Sequence, residues 1–93
     1  MLEELKAFTA VVERTSLTKA ANALALTQSA VSRRVQQLEE QLGATLLDRS
    51  SRPPTATAVG RRVYQQATAL LRDLDRLMNI PKDDGEPSGT LRL

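Results

Sequence analysis

Four side chains near the middle of this chain carry most of its chemical possibilities: Gln28, Ser29, Ser32 and Arg33. On a helix, at about 100° per residue, these four and Gln36 share roughly 140° of one surface. A carboxamide such as that of Gln28 can pair with adenine through its donor and its acceptor together. The Arg33 guanidinium can fork onto guanine O6 and N7, or onto a phosphate. The serine hydroxyls can donate to phosphate or touch a thymine methyl through Cβ. Together these groups have the chemistry to read a DNA duplex in its major groove. Plainer readings stand beside this one: Gln28 as a hydrated residue of a helix first turn, Ser29 and Ser32 as local caps. Arg34 faces further round, toward a phosphate or an acid such as Glu39.

The surrounding sequence must supply the elements that hold these groups. Leu2, Leu5, Phe8 and Val12 recur at three- and four-residue spacing, which predicts an amphipathic helix over 2–14. Thr15-Ser16 breaks it. Thr18 is the expected cap of a second helix over 18–25, where Ala20, Ala21 and Ala23 permit close approach of a neighbour. Leu17, Leu24 and Leu26 are its apolar anchors. Thr27 is the expected N-cap of a third helix over 28–42, because its hydroxyl can accept a backbone N–H from the first turn. Val31, Val35, Leu38 and Leu42 form one narrow stripe on that helix, and Gly43 suits its left-handed end. The polar face is thereby left open. A small-residue helix, the tight turn Ala25-Leu26-Thr27 and this third helix together imply helix-turn-helix.

Leu46-Leu47 leads into Asp48-Arg49-Ser50-Ser51-Arg52-Pro53-Pro54, a loop composition with room for a short strand on either side. A β-hairpin tipped by Ser50 to Pro53 is expected. Its second strand is weakly specified, since Pro54 has no N–H to give and Ala56 is a poor strand former. Thr57 then caps a long helix over 58–80. There Val63, Ala67, Leu70, Leu74 and Leu77 repeat at alternating four- and three-residue steps, the pattern of a seam between helices. Leu71 and Met78 widen one side. A small domain cannot cover so long a helix, so a partner helix and a dimer are implied, against the alternative of a connector packed on its own chain. Pro81 ends the helix. The stretch 82–89 has hinge composition, and Thr90-Leu91-Arg92-Leu93 starts an alternating pattern. The organisation expected is therefore a binding domain over 1–57, a dimerisation helix over 58–80, and over 81–93 a hinge with the start of a further domain.

Composition narrows the functions. The chain has 93 residues, 41% of them apolar, enough for one modest core. Phe8 and Tyr64 are the only aromatics, which argues against stacking platforms for single strands or RNA. Neither cysteine nor histidine occurs, so disulfides, zinc fingers and Cys–His nucleophiles are excluded, and no metal site or cofactor is expected. No Gly-rich phosphate loop or paired catalytic carboxylates stand out, so no catalytic residue is assigned. No apolar run approaches a membrane span and the acidic start is unlike a secretory signal, so a cytoplasmic location is expected. The net charge of +2 is small, but its distribution is not even. Nine of the thirteen basic residues fall in two windows without a single acid, 14–38 and 49–72, as a basic binding face requires.

Taken together, Ser16, Ala20-Ala21, Leu24 and Thr27-Gln28-Ser29-Ala30-Val31-Ser32-Arg33, then Leu38-Glu39, Leu42-Gly43, Leu46-Leu47 and Arg49, then Thr57 and Gly60, closely resemble LysR-type transcriptional regulators. The likeness covers residues 1–80, and 89–93 resembles the opening of that family's effector-binding domain. The resemblance implies a mainly α fold: a winged helix-turn-helix of three helices and a short β-hairpin wing, followed by a long dimerisation helix. It implies double-stranded DNA as the partner, bound by a homodimer on an interrupted inverted repeat, with tetramers at full length and RNA polymerase as a further candidate partner. A small-molecule effector would bind the domain beyond Leu93. Gln28, Ser29, Ser32 and Arg33 would enter the major groove, and Arg52 the adjacent minor groove. Thr18 and Lys19 at the second helix's start, Thr27, Arg34, Arg49 and Ser51 complete the expected DNA-binding set. Arg61 and Arg62 would extend it or simply solubilise the linker helix, and Glu39 and Glu40 are expected at the surface or in ion pairs. Three positions depart from the family: Leu47 replaces its usual Phe, Ala56 a larger apolar residue, and Pro54 a non-proline. A short or irregular wing strand follows. The competing class is a helical protein-interaction module that would use the same Gln/Ser/Arg face on another protein.

Overall fold

The computed structural model describes residues 1–82, and the expected hinge from 83 onward and the pattern at 90–93 lie outside them. The elements run α1 (Leu2–Arg14), α2 (Leu17–Leu24), α3 (Gln28–Leu42), β1 (Leu47–Asp48), β2 (Thr55–Ala56) and α4 (Ala58–Met78). Phe8 and Val11 of α1, Val31, Val35 and Leu38 of α3, and Leu46 just before β1 are completely buried, with Leu47 almost so. Burying a side chain of this size stabilises by about 1.5–3 kcal/mol. The Leu46-Leu47 segment is thus as much part of the core as the helices are. α2 contributes only Ala20 and Ala21 to the buried set, and these small residues let its backbone lie close to its neighbours. Leu17, Leu24 and Leu26 pack around them, partly buried.

Several boundaries differ from expectation for identifiable reasons. Ser16, not Thr18, caps α2, accepting the backbone N–H of Lys19 at 3.1 Å. Starting one residue earlier turns Leu17 toward the core and leaves Thr18 in the first turn, exposed. Ala25 closes α2 in the left-handed region at φ 57°, so this alanine lies outside the helix. Thr27 caps α3 as expected, accepting from Ala30 N–H at 3.1 Å, and Gly43 ends it at φ 66°. The apolar stripe of α3 stops at Leu38, for Leu42 is 43% exposed. α4 ends at Met78 rather than 80: the Asn79 side-chain amide donates to the Asp75 carbonyl at 2.7 Å, and the Ile80 N–H goes to the Leu77 carbonyl three residues back instead of four.

The wing is an antiparallel pair of two-residue strands, with Leu47 opposite Ala56 and Asp48 opposite Thr55. Pro54 sits outside the ladder, as its missing N–H requires. Leu47, at 2% exposure, fills the space beneath the hairpin. At the turn, the backbone N–H and hydroxyl of Ser50 both donate to the Asp48 carboxylate. These bonds hold that carboxyl below the ordinary aspartate range.

Between the wing and α4 the packing is tight. Glu39 of α3 accepts the N–H groups of Leu46 and Leu47 at 2.8 and 3.2 Å. Thr57 donates its N–H to the Leu46 carbonyl, its hydroxyl to the Thr45 carbonyl, and accepts from Gly60 N–H to cap α4. Gly60 itself lies against the Leu46 backbone, and a Cβ there would overlap the Leu46 carbonyl oxygen. Further along, the Tyr64 hydroxyl donates to Glu13 of α1 at 3.2 Å, docking α4 on α1.

The apolar residues of α4 share one arc that the domain covers only in part, which corrects the expectation that the whole seam faces a partner. Ala67 is buried at 1% exposure and Val63 packs partly on the core, so both serve this chain's own packing. Leu70 and Leu77 are 58% and 62% exposed and Met78 likewise open, while Leu74 is half-buried. The same 3.5-residue repeat serves both purposes because a wide apolar arc on a helix can touch two neighbours.

Two outcomes follow for the docking of α4. Gly60→Ala should lower the free energy of unfolding by roughly 1–3 kcal/mol in urea titration, since the methyl has only backbone to displace. Wild-type stability in that variant would show the contact to be slack. Burial first, then the charge and hydrogen bond of Glu13, raises the Tyr64 phenol above its ordinary value of 10.0. Because the folded value is the raised one, this docking bond acts at neutral pH and is lost as pH rises through it. Tyr64 is the sole tyrosine, so phenolate absorbance should give one midpoint above 10, shifted back toward it in Glu13→Gln.

Candidate nucleic-acid interface

With Val31, Val35 and Leu38 turned into the core, the opposite face of α3 is open: Gln28, Ser29, Arg33 and Gln36 are exposed and Ser32 half-exposed. Two of these side chains are tied to flanking elements. Gln28 Nε2 donates to the Thr18 hydroxyl in the first turn of α2 at 2.9 Å. On another part of the face, Arg49, just past β1, donates to the Ser32 hydroxyl at 2.9 Å. The exposed face of α3 is therefore bordered by the start of α2 and by the base of the wing turn. Ser29 lies 3.4 Å from the Thr27 hydroxyl, a weak local contact of the kind its plainer reading foresaw.

The charges on this surface are mostly uncompensated. Among the described residues, Lys19, Arg33, Arg49 and Arg52 form no ion pair, and all four are exposed. Arg34 differs: its guanidinium meets Glu3 of α1 at 3.2 Å. The expected acid, Glu39, is occupied with the backbone of Leu46 and Leu47 instead, which also corrects its expected surface role. Arg34 is thus directed toward α1 rather than outward with Arg33. Ser51 is turned inward too, half-buried and accepting from the Thr55 hydroxyl at 3.4 Å. Arg61 reaches back to the Ala56 carbonyl at 3.2 Å, bracing the second wing strand, whereas Arg62 is exposed.

The links Thr18–Gln28, Arg49–Ser32 and Glu3–Arg34 join residues ten, seventeen and thirty-one positions apart. Residue type alone marked all but Glu3 as candidates, yet no periodicity could pair them. Among the described residues no group of three or more Asp or Glu side chains is placed to share a metal ion, and no helix is long and apolar enough to cross a membrane.

Comparison with known proteins bears on this arrangement directly. Residues 2–61 match the model of the bacterial regulatory helix-turn-helix protein, lysR family. The HTH-type transcriptional regulator BenM of Acinetobacter baylyi is 42% identical over 92 residues, covering 99% of this chain and 30% of BenM. The regulator PtxR of Pseudomonas aeruginosa is 42% identical over 93 residues, again with 30% of its length covered. The chain thus spans about 30% of the length of these curated relatives. Its fold superposes on the crystal structure of the BenM_DBD/benA site 1 DNA complex with a TM-score of 0.80 and 46% identity. That match covers 84% of this chain and 88% of the other. The chain belongs to the lysR family of bacterial regulatory helix-turn-helix proteins.

Proposed function

We propose that this chain reads double-stranded DNA as one half of a two-fold dimer, with α3 in the major groove and the wing turn at the adjacent minor groove. The observation that carries this reading is the open face of α3. It offers an amide, hydroxyls and the unpaired Arg33, flanked by Lys19, Arg49 and Arg52, none of them neutralised by a carboxylate among the described residues. A duplex supplies acceptors on base edges for the first group and phosphates for the second. Gln28 and Arg33 supply base recognition. Thr18, Lys19, Thr27, Ser29, Ser32, Arg49 and Arg52 line the phosphate and groove contacts, with Arg34 and Ser51 secondary because each has a partner within the chain.

In this reading the division at 57/58 is the point where Thr57 ends the wing and caps α4, while Gly60, Val63 and Tyr64 keep the start of that helix packed on the domain. The second copy would join through the open flank of α4, where Leu70, Leu74 and Leu77 lie, extended by Met78. Val63 and Ala67 support the helix from within. Burying such a flank against its symmetry mate satisfies both copies by the same surface. At full length the protein acts as a bacterial cytoplasmic transcriptional regulator bound to the nucleoid. Its tetrameric assembly, contact with RNA polymerase and small-molecule effector belong to the two-thirds or so of the relatives' length that this chain does not span.

Two measurements test it. On a duplex selected from a random-sequence library, Arg33→Ala should weaken binding by about 1–3 kcal/mol, roughly 5- to 150-fold. Arg34→Ala should cost under about 1 kcal/mol, as expected for a guanidinium already paired at the surface. No loss for Arg33 would remove that side chain from the interface, and equal losses would overturn the division of duty between the two arginines; affinity indifferent to salt would remove DNA altogether. Secondly, Leu70→Ser with Leu74→Ser should yield a monomer in sedimentation and abolish preference for paired over single half-sites. A variant that still sediments as a dimer places the interface elsewhere.

A further inference from the structure

The hydroxyl of Thr18 stands in an unusual position for a residue in the first turn of a helix. Ser16 already caps α2, so Thr18 has no capping duty. It is exposed, and among the described residues its oxygen accepts one hydrogen bond, from Gln28 Nε2 at 2.9 Å. That bond spans the turn between the two helices and ends on the side chain best suited to read adenine.

A carboxamide has two faces to offer. Turned by 180° about its last bond, it exchanges donor and acceptor, and nothing in its shape resists the change. Adenine presents N7 as acceptor and N6 as donor in a fixed order, so only one of the two orientations of Gln28 can meet both. The pairing uses Oε1 and the Nε2 hydrogen on the same side as Oε1. The other Nε2 hydrogen points away, and it can stay on Thr18 while the base is read. The two bonds therefore do not compete for one proton.

A hydroxyl alone could hold either end of the amide, because it both donates and accepts. A phosphate removes that ambiguity. Phosphate oxygens only accept, so a phosphate beside the start of α2 accepts a hydrogen bond from the Thr18 hydroxyl and leaves that oxygen's lone pair for an N–H donor. We infer that Thr18 is a positioning residue for base selection: with its hydroxyl donating to the DNA backbone, its oxygen holds the Gln28 amide in the orientation that selects adenine. A backbone contact, which carries no sequence information of its own, is thereby converted into discrimination at one base pair. This rests on the DNA-reading function proposed above.

The test compares wild type, Thr18→Val, Thr18→Ser and Gln28→Ala on a selected duplex and its single-base-pair variants, after melting curves establish that each variant folds. The position read by Gln28 is the one whose preference disappears in Gln28→Ala. Thr18→Val, equal in shape but without the hydroxyl, should lower discrimination at that position by about threefold to tenfold, with the preferences elsewhere retained. Thr18→Ser should restore it, and Thr18→Val added to Gln28→Ala should change nothing further there. A Thr18→Val protein that binds uniformly more weakly, with its preference at that position intact, overturns the inference and makes Thr18 a plain phosphate contact. Loss of no preference at all in Gln28→Ala overturns it as well. A wild-type protein without sequence preference at any position instead overturns the proposed function, and this inference with it.

Discussion

The fold depends on how three residues, Thr45 to Leu47, are held between α3 and α4. Their side chains put two leucines at the bottom of the core, and their backbone is gripped from both sides. Glu39 receives two N–H groups, Thr57 supplies donors to two carbonyls, and Gly60 leaves no gap above Leu46. Each buried backbone group needs a partner, and a strand of two residues cannot supply them by itself. A carboxylate accepting two N–H groups is a stronger anchor than another amide would be. The wing can therefore be very short and still emerge from the domain at one fixed place.

That anchoring bears on the binding face as well. β1 follows directly from Leu46, and Arg49 follows β1, so the point where Arg49 meets Ser32 is set by the same bonds. The first turns of α3 are supported on their other side through Thr18. The exposed chemistry of the helix is consequently arranged in two kinds. Gln28 and Ser32 are braced by neighbours, while Arg33 extends without an intramolecular ion pair and Arg34 is drawn away to Glu3. Charge neutralisation within the chain thus sorts two adjacent arginines into different duties.

Much of this was legible in the residues. α1 and α3 have strong apolar periodicity with clear stop signals in Thr15 and Gly43, and their bounds in the structure agree with those read from the pattern. The wing was legible as short because Pro54 and Ala56 weaken one strand, and it proves to be two residues a side. The start of α2 was not legible, since Ser16 and Thr18 are both good caps and only the burial of Leu17 decides between them. Glu39 was misread because a glutamate on a polar face looks the same whether it meets water or a distant backbone. The division of α4 was hidden for a related reason: one repeat describes a helix packed on its own domain and a helix packed on a partner. Only the folded chain tells the covered part from the open one, by the burial of Ala67 and by the contact of Tyr64 with Glu13, fifty-one residues away.

The partial covering of α4 has a mechanical corollary. The helix is bolted to α1 at Tyr64, with Ala67 buried beside that bond, and in the proposed dimer its open part would be bolted to its twin, with no flexible joint between the bolts. The two halves would then behave like the arms of a fixed caliper, and the gap between the two reading heads would be a property of helix tilt. A tilt of a few degrees at the pivot is multiplied along a body 55 Å in its longest extent. A signal that re-angles the paired helices could thereby alter which pair of half-sites is spanned, without disturbing one atom of either reading surface.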